Sequence, residues 1–305
     1  MMRTHDPSCE YFLGRKLYGD DFTPDEIAKW FREEEEGHAT LGRSKREREG
    51  YEYNALNAIH SFRYLGKWKY PDVLSVGGAT GDELQPILRQ VDRITILEPS
   101  STYRNRILEG VPLRYVKPQP SGIMPFHDSA FDLITSFGCL HHVPNVSTVV
   151  REMVRVLRPG GKMLIREPII SMGDWRKPRV GLTKFERGIP LDIFRSTMSD
   201  TGVRILQETL GGFPLTPRLQ FLLKGHHYNS YAAVMFDKFA SRCFAWNYRY
   251  HPTTIFHKFT PTLVSYVLEK PGTDAASAQT RPGEAHEAIT EGHRTQRTHG
   301  PNNDN

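Results

Sequence analysis

The chain has 305 residues, a net charge of +5 and a pI near 9.0, with 38% apolar and 25% charged residues. That length holds one sizeable α/β domain with additions, and the composition is that of an ordinary globular protein. No apolar run approaches the roughly 18 residues of a membrane span. The opening Met1–Asp6 lacks an apolar leader core, and Cys9, Cys139 and Cys243 are too scattered for a disulfide framework or a thiol metal site. A cytoplasmic protein without a membrane partner is expected. The charge is modest and partly sits in mixed runs such as Arg43–Glu49, so nucleic acid is disfavoured as a partner.

In chain order, Thr23-Pro24-Asp25-Glu26 has the form of a helix start with a capping box, predicting a helix to about Glu36. A second helix is predicted from about Tyr51 to Leu65, where Tyr53, Leu56, Ile59 and Phe62 form a drifting apolar stripe. Val73–Val76 then reads as a buried parallel strand. It runs into Gly77, Gly78 and Gly81, an acidic pair, Asp82 and Glu83, and an apolar stretch, Leu84–Leu88, that reads as a helix start. Strand, glycine turn and helix hold a nucleotide at the carboxyl edge of an α/β sheet. A dinucleotide fingerprint needs glycine near 77, 79 and 82, but Ala79 and Asp82 stand there. Asp82 and Glu83 suit a positive helix end yet repel a phosphate placed at it. The next strand, Ile94–Leu97, ends in Glu98, 17 residues after Gly81, where a carboxylate accepts from ribose hydroxyls. A nucleoside with ribose hydroxyls and no phosphate points to S-adenosylmethionine (SAM).

With these residues the chain resembles the class I SAM-dependent methyltransferases, over about 70–170 and onward to about 270. The glycine turn is similar to the family's first motif and Glu98 to its ribose acid. Phe131–Ser136 through Leu140-His141-His142-Val143 resembles the fourth strand and its loop, and Arg151–Lys162 the helix and turn before strand five. Three features depart from the pattern. Ser75 stands where an acid often precedes the first glycine, and Ala79 replaces the middle glycine. The third strand, Leu113–Val116, leads into Lys117–Ser121, where Gln119 or Ser121 replaces the acid that accepts from the adenine amino group.

The resemblance implies an α/β fold: a Rossmann-like, seven-stranded, mostly parallel sheet with helices on both faces. N-terminal helices precede it, and a helical, aromatic insertion separates the last two strands. The expected divisions are a helical cover at 1–70, the SAM-binding core at 71–212, an aromatic acceptor cap at 213–258, a last strand at 259–270 and a disordered tail at 271–305. The strands flanking the insertion are read at Val203–Glu208 and Thr262–Leu268. The insertion holds eleven aromatic residues, from Phe213 to Phe256, read either as its own small core or as lining of the acceptor pocket. The tail has one Ile and no Leu, Val, Phe, Tyr or Trp.

By the same resemblance, Gly77, Gly78, Ala79, Gly81, Glu98, Pro99, Gln119, Phe137 and His141 contact the cofactor. A hydroxyl acceptor also needs a base, and His142, Glu167 and Asp174 are the candidates at the ends of strands four and five. Arg176 and Arg179 are placed to hold an anionic acceptor, and His226-His227 is a further candidate base. Asn54 and Asn57, neighbours on the second helix, are candidates to cover the cofactor. The paired histidines show no evident third ligand, so no metal is expected. The expected activity is methyl transfer to a small molecule, most plainly to oxygen of a sugar, aromatic or anionic metabolite. An RNA or protein methyltransferase and a non-catalytic SAM-binding regulator are the alternatives; Asp82 disfavours hydride transfer. The oligomeric state is not legible.

Overall fold

The computed structural model describes residues 8–35, 50–103, 105–223 and 225–272. The expected disordered tail lies outside the described residues from 273 onward. Eight strands form one sheet: β1 Tyr70–Val76, β2 Val91–Leu97, β3 Ile107–Leu108, β4 Val111–Val116, β5 Phe131–Phe137, β6 Leu157–Pro168, β7 Arg204–Gly211 and β8 Leu263–Glu269. Their order is β3-β4-β2-β1-β5-β6-β8-β7. β4, β2, β1, β5 and β6 run parallel, while β8 is antiparallel to both β6 and β7. The expected seven strands become eight because Ile107–Leu108 folds back on β4 as a two-residue strand, too short to carry an alternating pattern. Glu109 (φ +46°) and Gly110 (φ +93°) make its tight turn.

Six α-helices accompany the sheet among the described residues: α1 Ser8–Phe12, α2 at 24–35, α3 Asn54–His60, α4 Val146–Val156, α5 Leu191–Asp200 and α6 Tyr231–Cys243. The capping box at α2 is present: Thr23 donates its backbone N–H to Glu26 at 2.9 Å, and Glu26 donates back to Thr23 Oγ1 at 3.4 Å. The second helix is shorter than its stripe, because after His60 the chain tightens into a 3-10 turn at Phe62–Tyr64. The stretch after the glycine turn, Asp82–Gln90, is 3-10 and not α-helical. Pro86 explains this: it has no N–H to donate to the carbonyl of residue 82.

Both faces of β1 are covered, which is why it reads as a nearly continuous apolar run. Leu74 and Val76 join one core with α4 and α5, and Val73 joins the other with Leu84, Ile87 and Leu164. The parallel strands therefore end along one edge, where the turns at 77–81, 98–100, 117–122 and 138–145 gather.

The segment between β7 and β8 is pinned at its root. Asp237 of α6, fully buried, accepts the N–H groups of Gly212 and Phe213 and the hydroxyl of Thr216, at 2.8, 2.8 and 2.6 Å. Phe213, Tyr228 and Tyr250 are buried, but Phe221, Tyr231, Phe236, Phe239, Trp246 and Phe256 are exposed. Neither reading of the aromatic run covers these six. On α6 the reason is spacing: Asp237 and Ala233 occupy the inward face, which leaves Tyr231, Met235 and Phe239, four apart, on the outward one.

Candidate active site

A cavity of about 910 Å³, measured out to its open mouth, lies at the carboxyl edge of the sheet. Its lining includes Gly77, Glu98, Pro99 and Gln119 together with His142, five of the residues expected at the site. Gly78, Ala79, Gly81, Phe137, His141, Glu167 and Asp174 do not line it. Among the described residues, three carboxylates, Glu34, Glu35 and Glu98, line the cavity and no Lys or Arg does, with Lys117 Nζ 2.7 Å from Glu35 Oε1 outside the lining. Such a wall repels phosphate and attracts a cation.

The glycine turn forms for local reasons. At Gly77 (φ +70°) a Cβ would collide with Cys139, so β1 and the loop after β5 approach as closely as they do only with glycine here. Ala79 holds φ +50°, a left-handed position that an alanine adopts at some strain. Its N–H donates to Glu98 Oε2 at 3.3 Å, and Ser100 N–H donates to Glu98 Oε1 at 3.1 Å. These bonds hold the buried Glu98 carboxylate against the glycine turn, at the cavity lining. The acid missing at Ser75 is supplied from elsewhere: Ser75 Oγ donates to Glu83 Oε1 at 2.5 Å, so a buried carboxylate reaches the same turn from the 3-10 stretch. In the loop after β4, Asn145 at the start of α4 donates to the carbonyl of Ser121 at 2.7 Å, which holds Gln119 at the cavity wall.

The two histidines divide. His142 lines the cavity, and its Nδ1 donates to Glu34 Oε2 of α2 at 2.9 Å. Glu34 is buried, which alone would raise its pKa. Hydrogen bonds from His142, Thr183 Oγ1 and Phe185 N–H outweigh burial and hold the carboxyl below its usual range. His141 sits behind the wall. Its Nδ1 lies 2.7 Å from Glu167 Oε2 and its Nε2 lies 3.6 Å from Glu186 Oε1. Burial opposes its charge, but Glu167 and Glu186 overcome that and raise its pKa to about 9. Burial likewise opposes the charge of Glu186, yet His141 and His142 bring its pKa down to about 2.

Glu167 is completely buried and its oxygens are already engaged. It accepts the N–H groups of Cys139 and Leu140 at 2.9 Å each and that of His141 at 3.3 Å. It shapes the loop after β5 and has no opening toward an acceptor. Arg187, also fully buried, donates to the carbonyls of Tyr18, His141, Val143 and Pro144 and fixes the far side of that loop.

Asp174 is turned to its own loop, where it accepts from Arg176 Nε at 2.8 Å. Arg179 donates to the carbonyls of Met172, Thr183, Lys184 and Glu186, which staples the loop. Neither arginine lines the cavity. His226 contacts the carbonyl of Glu52, and His227 contacts Gln220, again away from it. The fold does bring a third potential metal ligand to the histidine pair, since ligand atoms of His141, His142 and Glu186 lie within 4.8 Å of one another. Glu34 and Glu186 were missed in the sequence: Glu34 belongs to an acidic run, Glu33–Glu36, that reads as a solvated face, and Glu186 to a mixed-charge loop.

Residues 74–165 match the family model described as a methyltransferase domain. The ubiquinone biosynthesis O-methyltransferase of Sodalis glossinidius (strain morsitans) is 29% identical over 163 residues, 52% of this chain and 64% of the relative. The enzyme of the same name from Yersinia pestis (strain Pestoides F) is 28% identical over 162 residues, 52% and 65% of the two chains. The chain thus spans less than two-thirds of the length of these relatives. Among solved structures it is similar to the 1,6-didemethyltoxoflavin-N1-methyltransferase of Burkholderia thailandensis, with a TM-score of 0.48, 16% identity, and 82% and 91% of the two chains covered. With the sheet order and the methyltransferase-domain match together, the chain carries a Rossmann-like, class I SAM-dependent methyltransferase domain.

Proposed function

We propose that the chain binds SAM in the cavity at the carboxyl edge and transfers its methyl group to a hydroxyl of a small-molecule acceptor. The observation that carries this reading is the charge of the cavity lining: among the described residues it has three carboxylates and no Lys or Arg, around a glycine turn that opens onto a buried Glu98. Such a wall suits a cationic, phosphate-free nucleoside and disfavours a pyrophosphate. The name of the two relatives supports oxygen as the acceptor atom.

When bound, SAM supplies an electrophilic methyl on a sulfonium. The residues of the chain do the rest. Glu98 accepts from the ribose hydroxyls, and Gln119 faces the adenine end. Glu34 accepts the Nδ1–H of His142, which leaves the lone pair of the neutral imidazole on Nε2. His142 Nε2 is placed to take the acceptor's hydroxyl proton; the methyl would come from the sulfonium, whose S–CH3 bond would break with the electron pair left on the sulfur of SAH. Glu34 then stabilises the imidazolium, much as an orienting carboxylate does elsewhere. Glu167 positions the loop that carries His142 and takes no proton itself. The helices at 8–35 and α3 are read as a cover over this edge, and 213–258 as the acceptor-side insertion.

Glu98→Ala tests the cofactor assignment. Removing a buried acceptor of charged hydrogen bonds lowers affinity by about 1.5–3 kcal/mol, roughly 10- to 150-fold, for S-adenosylhomocysteine (SAH) measured by calorimetry. Unchanged SAH affinity refutes the role given to Glu98.

A further inference from the structure

Arg166, near the end of β6, is 5% exposed, and among the described residues no carboxylate lies within ion-pair distance of it. Of its five donors, only those on Nη1 have a protein acceptor there, Asn57 Oδ1 at 2.6 Å. Asn57 is itself aimed, since its Nδ2 donates to the Tyr51 hydroxyl at 2.6 Å. The guanidinium lies over the ring of Tyr53 at 4.1 Å and that of Phe137 at 5.4 Å. Among the described residues the other buried arginine, Arg187, spends its donors on four carbonyls. A buried cation without a counter-charge is expensive to keep unless something arrives to pair with it.

Position says where that partner comes from. Arg166 pairs in register with Phe137, the residue before Gly138, and Gly138 lines the cavity. A Cβ placed on Gly138 would lie 3.9 Å from Arg166 Nη2, so only a glycine separates the guanidinium from the cavity. The neighbouring His60 is almost completely buried with Nε2 unpaired. Burial first, then the charges of Lys238, Arg166 and Arg63, push its pKa down to about 3, so it stays neutral and adds no second positive charge beside Arg166.

We propose that the Nε–Nη2 edge of Arg166 is a carboxylate site. The two parallel N–H groups of that edge match the two oxygens of a carboxylate. Two sources bring this chemistry: a carboxylate on the acceptor, and the methionine carboxylate of the cofactor. Strand order favours the acceptor. The sheet runs β2-β1-β5-β6, with Glu98 after β2, Gly77 after β1 and Arg166 on β6, the far side of the cavity from the ribose acid. The inference rests on the methyltransferase reading only for the cofactor arm.

The test uses two pairs of probes on the full chain and on Arg166→Met, by calorimetry. One pair is benzoate and benzamide; the other is SAH and its decarboxylated analogue. The natural chain is expected to favour the carboxylate member of at least one pair by about tenfold or more, and Arg166→Met to bring that ratio to within about threefold. The benzoate pair identifies the acceptor as the source, and the SAH pair the cofactor. No preference in either pair, or a preference that Arg166→Met leaves intact, overturns the proposal. If the natural chain binds no SAH, the cofactor reading fails while the benzoate pair still decides this one. Because the buried cation lacks a counter-charge, Arg166→Met is expected to melt no lower than the natural chain, whereas a purely structural arginine predicts a lower Tm. Should that variant fail to fold, Arg166→Lys carries the test: it keeps the charge, removes the fork, and is expected to weaken the carboxylate preference.

Discussion

His142→Gln is expected to slow methyl transfer by about 10²- to 10⁴-fold while SAH affinity stays within about threefold. That range is what a positioned base contributes when the acceptor proton must leave in the transition state. The side chain lines the cavity, and its other nitrogen is tied to a carboxylate held ionised by three hydrogen bonds. Glu34→Gln separates this reading from simple packing. The amide keeps the shape but removes the charge that stabilises the imidazolium, so the rate falls while SAH affinity and Tm change little. A His142→Gln enzyme that turns over as fast as the natural chain shows that the acceptor needs no base here.

Glu167→Ala is expected to lose about 3–5 kcal/mol of stability, the effect of leaving a buried hydrogen-bonded charge system without one member. Three N–H groups, of Cys139, Leu140 and His141, lose their acceptor together, and the His141 imidazolium loses the nearer of its two carboxylates. Urea unfolding measures the loss. The pH dependence carries a second signature. The folded pKa of His141 is raised from 6.5 to about 9, so its contribution is fully present below pH 6.5 and is lost as pH rises through about 9. The natural chain should therefore weaken over that window, and Glu167→Ala should weaken less. Glu186 gives the opposite limb: its pKa falls from 4.5 to about 2, so its contribution holds above pH 4.5 and is lost as pH falls toward 2. A Glu167→Ala chain as stable as the natural one, with the same alkaline slope, removes Glu167 from its positioning role.

What could be read in the sequence was local. The run Val73–Gly81 and the strand ending in Glu98 carry their geometry within a few residues, so the turn and the carboxylate beside it were legible. Both proved to be in one place because parallel strands end at a common edge. His142 was legible for the same reason, as a residue just past β5. The partners that give these residues their chemistry come from far along the chain. Glu34 is 108 residues from His142, and Asn57 is 109 from Arg166. No periodicity reports such a pairing. Asp174, Arg176 and Arg179 misled for a related reason. A dense polar loop near strand five has the composition of a site, but its charges are spent on each other and on the loop's own carbonyls. Arg166 drew no attention because it lies inside an apolar strand, and only its burial without a carboxylate marks it. Asp82–Gln90 reads as a helix start by its apolar residues, but Pro86 breaks the α-helical ladder and the stretch is 3-10.

The cavity at the carboxyl edge is proposed to take a cationic nucleoside without phosphates. Calorimetric titration of the natural chain with SAH and, separately, with NAD tests this most directly. SAH is expected to bind at one site per chain, with SAM at least as tight because its positive charge suits a cavity lined by Glu34, Glu35 and Glu98, and NAD is expected to give no heat of binding. Binding of NAD without binding of SAH contradicts the account.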